Sequence, residues 1–259
     1  MASLIEFVGG ESPQMLPGYK IRVLEGNCLE KTDHRLEVLR TISAGALPGK
    51  SLVVLEPELR LAINVFATEN GHAQERSLFD QVLTTVKPGE LWIADRNMCT
   101  VSCLFGLHRS GGNFVIREHK SMAWEAVNAL QSFGCVETGD LFEQTVRLAD
   151  AQQSLLVRRV VLKLKKPTRN GEKEIAIFTY LPPDVATPAI VAELYRGRRS
   201  VENLFQTVTE NYQCEIQTLG YPKAALFSFP LALVTYNILA TVRAVLASVH
   251  GVGKIDAGL

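Results

Sequence analysis

The chain has 259 residues, of which 47% are hydrophobic and 21% are charged. This composition is typical of a globular protein and excludes the collagen, coiled-coil and disordered classes. Lys plus Arg and Asp plus Glu each number 27, so no net charge attracts the protein to nucleic acid or to anionic lipid. The five cysteines include no Cys-x-x-Cys pair, which argues against a structural zinc site, and their odd number argues against a disulfide framework.

The first part of the chain predicts a mixed α/β core. Hydrophobic spacing and turn residues predict, in chain order, strands over 20–24 and 51–65, a helix over 73–86, a strand over 90–94, a helix over 101–108 and a strand over 113–117. The segment Glu56-Pro57-Glu58 interrupts the second strand, so we expect a hairpin there. This order predicts three antiparallel strands followed by parallel ones.

From about residue 121 the pattern changes to longer alternating strands, which predicts an all-β insertion. Strands are expected over 156–165 and 174–180, joined around an Asn170-Gly171 turn. Thr187 as N-cap and Pro188 at the first helical position predict the start of the C-terminal helices. The predicted organisation is a first part of the core at 1–120, a β-strand insertion at 121–186 and C-terminal helices that complete the core at 187–259.

An uncharged stretch near the C-terminus allows two interpretations. Residues 224–242 carry no charge and are almost long enough to span a bilayer. Pro230 and Asn237 interrupt the stretch, and Arg243 follows it, so we expect a buried core helix and keep a membrane span as the alternative. The start of the chain lacks the basic and apolar regions of a secretory signal, which predicts a cytoplasmic protein.

Three acidic residues follow or flank predicted elements in a pattern that suits metal binding. Glu25 follows the apolar residues of the first strand, Asp95 follows the strand over 90–94, and Glu202 lies in a later helix. Carboxylates that converge at one sheet edge can hold two Mg²⁺ ions about 3.5–4 Å apart and so act on a phosphodiester. The alternative is that a strand-end aspartate only caps a turn.

Two segments resemble bacterial insertion-sequence DDE transposases, namely ELWIADRN around Asp95 and ELYRGRRSVENLF around Glu202. That family carries a Tyr-x2-Arg-x3-Glu-x6-Lys signature, and Tyr195, Arg198 and Glu202 occupy its first three positions. The segments IRVLEGN, HAQERSLF and FVIREH are similar to the same family, so the resemblance extends over nearly the whole chain.

The resemblance implies a ribonuclease-H-like fold, in which a mixed sheet is flanked by helices and an all-β insertion precedes the last catalytic helix. It implies a transposase that cleaves DNA at transposon ends and transfers the strand into target DNA. Two Mg²⁺ or Mn²⁺ ions are then expected, with Glu25, Asp95 and Glu202 as ligands. The expected partners are transposon-end and target DNA and a second copy of the chain in an active homodimer. A nucleoid-associated protein with no membrane and no nucleotide cofactor is expected.

One tyrosine and several basic residues are candidate DNA contacts. Tyr195, Arg198 and Arg199 fall beside the implied metal site. Residues 151–170 contain six cations and no acid, and strand alternation places Arg159, Lys163 and Lys165 on one side. Such a face can follow a phosphate backbone by charge alone, although a solvated outer face of a hairpin has the same pattern. Without the family resemblance, an exposed i,i+4 ion pair is the favoured interpretation of Arg198 and Glu202.

Three departures from the family leave a second function open. Glu25 stands where the family has its first aspartate, and Thr209 stands where the signature has its lysine. Only about twenty residues precede the first strand, where family members usually carry a DNA-binding region, so an N-terminally truncated catalytic region is expected. The alternative is a catalytically impaired transposase remnant that binds DNA or intact transposase without cutting.

Overall fold

The structure is a computed structural model that describes residues 14–28, 50–68, 74–150, 153–198, 204, 207 and 222–251. The described residues form ten strands and four α-helices: β1 Lys20–Cys28, β2 Lys50–Glu56, β3 Leu61–Thr68, α1 Phe79–Leu83, β4 Glu90–Ala94, α2 Val101–Arg109, β5 Asn113–Arg117, β6 Glu125–Ala126, β7 Gln131–Val136, β8 Gly139–Ala149, β9 Ser154–Leu164, β10 Glu174–Thr179, α3 Pro188–Gly197 and α4 Pro222–His250. The chain divides into two compact units, the first comprising Met1–Pro17, Ile21–Leu78 and Ser200–Leu259, and the second Gly18–Lys20 and Phe79–Arg199.

The first unit contains an antiparallel sheet in the order β1-β2-β3. The predicted hairpin is confirmed, because β2 and β3 pair across a turn closed by a hydrogen bond from Arg60 N to Pro57 O at 3.3 Å. Arg60 takes the left-handed conformation with φ 55°. The first strand is longer than predicted: β1 continues to Cys28, so Glu25 lies inside the strand, opposite Val53, and not after its end.

The long helix α4 packs against β3 in this unit. Phe229, Ala232 and Leu233 are buried, whereas Phe227 and Leu231 are exposed. Leu226–Ala247 is long and apolar enough to cross a membrane, by length and composition, and 17% of its most apolar window is buried. The expectation of a buried core helix is therefore wrong for most of its surface, because a helix that is apolar on all sides carries no sequence signal for the side that is covered.

A polar contact from Asn237 joins α4 to β3. The side-chain amide of Asn237 accepts a hydrogen bond from Ala62 N at 2.9 Å and donates one to Ala62 O at 2.7 Å. These are the two bonds that a neighbouring strand would make, and they lie beside the irregular register between Val54 and Leu55. Asn237 therefore satisfies backbone groups of β3 and sets the position of the helix along the strand.

Replacement of Asn237 by alanine is expected to destabilise the protein by about 1–3 kcal/mol, because both backbone groups of Ala62 lose their partner. Urea denaturation measures the loss. Thr235→Ala is the matched control: its exposed hydroxyl donates to Leu231 O within the helix, and we expect a change within about 0.5 kcal/mol. Equal midpoints for the two variants would contradict the role of Asn237.

The second unit contains a mixed sheet. Strands β4 and β5 are parallel and joined through α2, as in a βαβ unit, while β5, β10, β9 and β8 pair antiparallel in that order. Strands β6 and β7 both pair with β8. The largest fully buried side chains here are Trp92, Phe105, Phe114 and Phe178. The mixed α/β fold with many strands and flanking helices confirms the predicted fold class.

The predicted helix over 73–86 is shorter than expected. A 3-10 helix at Glu75–Leu78 precedes α1, which ends at Leu83. The hydroxyls of Thr84 and Thr85 donate to the carbonyls of Gln81 and Val82 at 2.7 Å, which competes with further helical bonds.

The expected β9–β10 hairpin is confirmed, and Gly171 takes a left-handed φ of 76° at its turn. The three-segment domain boundaries stay a prediction.

Candidate active site

Asp95 lies at the carboxyl end of a fully buried strand. All five residues of β4 are buried, and Asp95 follows in an extended conformation just before a 3-10 helix at Arg96–Met98. Its backbone carbonyl accepts a hydrogen bond from Met98 N at 3.0 Å, but its side chain makes no capping hydrogen bond. The turn is therefore closed by the backbone alone, and the carboxylate does not serve as the turn cap that was the alternative interpretation.

The carboxylate of Asp95 is instead bound by a tyrosine from α3. The hydroxyl of Tyr195 donates to Asp95 Oδ1 at 3.0 Å, although the two residues are 100 positions apart. Helix α3 begins as predicted, with Pro188 at its start and the Thr187 hydroxyl accepting from Ile190 N. Burial, and then the charge of Asp95, raise the pKa of Tyr195 well above its usual value. The hydroxyl therefore remains a donor that orients the carboxylate.

Arginines surround this pair. The guanidinium of Arg198 lies 5.8 Å from the centroid of the Tyr195 ring, and Arg117 ends β5 beside β4. Burial acts to lower the pKa of Arg117, but its hydrogen bond with Glu172 and smaller electrostatic contributions from Tyr195, Glu172 and Asp95 together outweigh burial, so that the pKa is raised. Positive charge near Asp95 is the electrostatic setting that a phosphodiester substrate requires.

Of the other two predicted metal ligands, the structure describes only Glu25. Glu25 is half-buried within β1 of the first unit. Glu202 and Arg199 lie outside the described residues, so the predicted convergence of Glu25, Asp95 and Glu202 stays a prediction. Among the described ranges, no group of three or more His, Cys, Asp or Glu residues is placed to hold a metal ion.

The donor chemistry of Asp95 nevertheless fits a divalent cation. An ionised carboxylate has about four acceptor positions, and the bond from Tyr195 uses one of them. Carboxylate oxygens are the ligands that Mg²⁺ prefers. Asp95 can therefore serve as one ligand while Tyr195 holds it in place, which is the usual arrangement around a metal ligand.

The basic strand β9 divides into paired and exposed cations. Lys163 and Lys165 are exposed, with Lys163 Nζ 4.5 Å from the Phe142 ring centroid and Lys165 Nζ 3.2 Å from Val136 O. Arg159 instead forms an ion pair with Glu118 at 2.7 Å and stacks on Trp124 at 4.7 Å. The charge of Arg159 is thus already compensated by Glu118, and the DNA contacts of all three residues stay a prediction.

The neighbouring Arg158 is structural. It is buried, forms a two-pronged ion pair with Glu143 at 2.6 and 3.0 Å, and donates to the carbonyls of Leu181 and Ala186. These bonds tie β9 to the connection that leads into α3. The cation count of residues 151–170 therefore overstates the charge that is available to DNA.

Three charged residues of the site were missed by sequence reasoning: Arg96, Arg117 and Glu172. Arg96 donates to Glu172 Oε1 at 2.9 Å, and Arg117 donates to Glu172 Oε2. The sequence carried a signal for Arg117, because Arg117 ends β5, the strand that runs parallel to β4. Ala94 of β4 lies opposite Ile116 of β5, so the next residues along the two strands are Asp95 and Arg117. Side chains at the ends of adjacent parallel strands are neighbours whatever their charge, so the end of β5 predicts a neighbour of Asp95.

Replacement of Tyr195 by phenylalanine is expected to weaken metal binding and cleavage about 10-fold, because Asp95 loses the partner that orients it. Titration with Mn²⁺ measures the affinity, and it gives a result whether or not the chain cuts DNA. Tyr180→Phe removes a hydroxyl from a partly exposed ring that packs on His108 and Phe114, and it should leave the affinity unchanged. Equal affinities in both variants would contradict an orienting role.

Comparison with known families assigns most of the chain to one domain family. Residues 49–231 match the family described as the transposase DDE domain. The match includes Asp95, Tyr195 and Glu202 and begins after Glu25. No curated protein matches the chain. Domains of this family act on DNA and generally depend on divalent metal ions. Because the match covers more than half of the chain, this protein belongs to the transposase DDE domain family.

Proposed function

We propose that the protein is a transposase of the bacterial insertion-sequence type, which cuts DNA at transposon ends and joins the cut strand to target DNA. The observation that carries the proposal is the position of Asp95 at the end of β4, held by Tyr195 and flanked by arginines, within a transposase DDE domain. This arrangement offers a carboxylate to a metal ion and positive charge to the phosphate that reacts.

The reaction has two phosphoryl transfers. In the first, water attacks the phosphorus at the transposon end, the bond to the 3′ oxygen breaks, and a free 3′-hydroxyl forms. In the second, this hydroxyl attacks a target phosphodiester, gives its proton to solvent and leaves the target strand with a 3′-hydroxyl. When bound by Glu25, Asp95 and Glu202, two Mg²⁺ or Mn²⁺ ions would activate the attacking oxygen and stabilise the leaving oxygen.

The remaining residues have binding roles in this proposal. Lys163 and Lys165, exposed on one strand, would contact the DNA backbone by charge, and Arg198 and Arg199 would contact phosphates near the reacting bond. Arg159 would contribute less, since Glu118 already neutralises it. In this proposal a homodimer pairs two transposon ends and acts with the nucleoid in the cytoplasm.

A second candidate is an impaired transposase that binds DNA or an intact transposase without cutting. The residues that favour it are Glu25, one methylene longer than the aspartate of the family, and Thr209 in place of a lysine. A displacement of about 1 Å at a reacting site can cost about 100-fold in rate. The two candidates share the fold and the DNA contacts and differ only in the cutting step.

A strand-joining experiment tests the proposal without knowledge of the end sequence. The full chain is incubated with a supercoiled plasmid and a pool of duplexes that have randomised ends and free 3′-hydroxyls, with Mn²⁺ or with EDTA. Plasmids that carry a joined duplex are sequenced. Metal-dependent joining with a preferred end sequence would support the transposase, while DNA binding without joining would favour the impaired remnant.

A further inference from the structure

We propose that Arg96 and Arg117 form a binding site for a DNA phosphate beside Asp95, and that the carboxylate of Glu172 occupies this site until DNA displaces it. The inference rests on the proposed function, because it assigns a phosphodiester of the same substrate to these two arginines. It adds a binding site and an internal competitor for that site.

The geometry resembles that of a bound phosphate. Each oxygen of the Glu172 carboxylate takes one arginine: Oε1 lies 2.9 Å from Arg96 Nη1, and Oε2 accepts from Arg117 Nη2. A phosphodiester also presents two unesterified oxygens, and guanidinium groups bind both carboxylates and phosphates. Arg96 directly follows Asp95 in the chain, and Arg117 interacts with its charge. A phosphate in place of the carboxylate would therefore lie next to the residue proposed to bind metal.

Glu172 is placed so that its side chain can leave without disturbing the fold. It lies in the β9–β10 turn, whose backbone is closed by its own bonds: Thr168 N donates to Glu172 O at 2.9 Å, and Glu172 N donates to Thr168 Oγ1 at 3.1 Å. The carboxylate reaches from this turn to the two arginines, and the Glu172 side chain is 22% exposed. A change of side-chain rotamer is enough to release it to solvent.

The charge state of Glu172 also suits a competitor for phosphate. The hydrogen bond from Arg117 lowers the pKa of Glu172 below its usual value, with smaller contributions from Arg96. The carboxylate is therefore ionised at neutral pH and offsets positive charge that would otherwise attract DNA. The Arg117 and Glu172 side chains are 16% and 22% exposed, so the ion pair is partly buried, and a bound phosphate would replace the carboxylate as the partner of both arginines.

Fluorescence anisotropy with a labelled duplex tests the proposal on the full chain without divalent metal. We expect Glu172→Gln to bind a duplex of about 20 base pairs about 5-fold more tightly at 0.1 M salt than the unaltered chain does. The slope of log affinity against log salt should become steeper by about 1 to 2, because one or two more phosphates are neutralised. Adding Arg117→Gln to Glu172→Gln should abolish the gain.

Glu125→Gln is the matched control, because it removes one negative charge and frees Arg147 from a 2.9 Å ion pair elsewhere in the β-rich region. Its affinity for DNA should change by less than about 2-fold. If Glu172→Gln fails to fold, Glu172→Asp shortens the reach at constant charge and should give a smaller gain.

The outcomes separate this proposal from the proposed function. If the unaltered chain binds DNA and folded Glu172→Gln, or Glu172→Asp in its place, binds no more tightly, the phosphate site is overturned while the DNA-binding function stands. An equal gain in Glu125→Gln would show a general charge effect and would also overturn it. If no variant binds DNA, the proposed function and the phosphate site both fail.

Discussion

Replacement of Asp95 by asparagine is expected to abolish DNA cleavage and leave DNA binding unchanged. Asparagine keeps the shape of the side chain, and its amide oxygen can still accept the bond from Tyr195, so the fold at the end of β4 is retained. The negative charge that attracts a metal ion is lost. Since loss of an outer partner of a metal ligand costs about 10–100-fold, loss of the ligand itself should cost more than about 100-fold.

The measurement is metal-dependent nicking of a supercoiled plasmid, with anisotropy on labelled DNA as the binding readout. Asp140→Asn is the matched control, because Asp140 is an exposed aspartate near the start of β8 in the same unit. If the unaltered chain does not nick DNA, the same pair of variants is compared in a Glu25→Asp background. Nicking by Asp95→Asn at the rate of its parent would contradict a metal-binding role for Asp95.

Much of the fold could be predicted because local signals and the final structure agree. The strands at β4 and β5, the helix α2 and the Thr187-Pro188 start of α3 all follow from hydrophobic spacing and capping residues. The differences arise where tertiary contacts decide. β1 continues past Leu24 because it pairs with β2 as far as Cys28, and pairing between distant segments leaves no local signal.

The candidate site was predictable to a different degree at each residue. The position of Asp95 followed from the end of an apolar strand, and Tyr195 and Arg198 followed from the family signature. The hydrogen bond between Asp95 and Tyr195 could not be predicted, because a bond across 100 residues depends on how α3 packs. The role of Arg159 was overestimated for a similar reason: Glu118 and Trp124 come from another part of the chain and cover it.

Replacement of Glu25 by aspartate is expected to raise metal-dependent cleavage about 100-fold. The backbone of β1 is fixed by pairing with β2, with Glu25 opposite Val53, so the change withdraws the carboxylate by about one methylene and does not move the strand. Mg²⁺ requires nearly ideal octahedral geometry, which makes its sites sensitive to such a shift. The expected gain reflects a better position of one ligand for the two ions.

Two further variants define what the result means. Glu25→Gln keeps the length and removes the charge, and it should cut no faster than the unaltered chain. Glu56→Asp shortens another acid of the first unit, one that pairs with Arg22 at 3.1 Å, and should leave cleavage unchanged. A gain confined to Glu25→Asp would identify the protein as a transposase weakened at one metal ligand. Unchanged activity in a folded, DNA-binding Glu25→Asp variant would contradict the prediction and favour a protein that binds DNA without cutting it, whereas a lower rate would mean that the site has adapted to the longer glutamate.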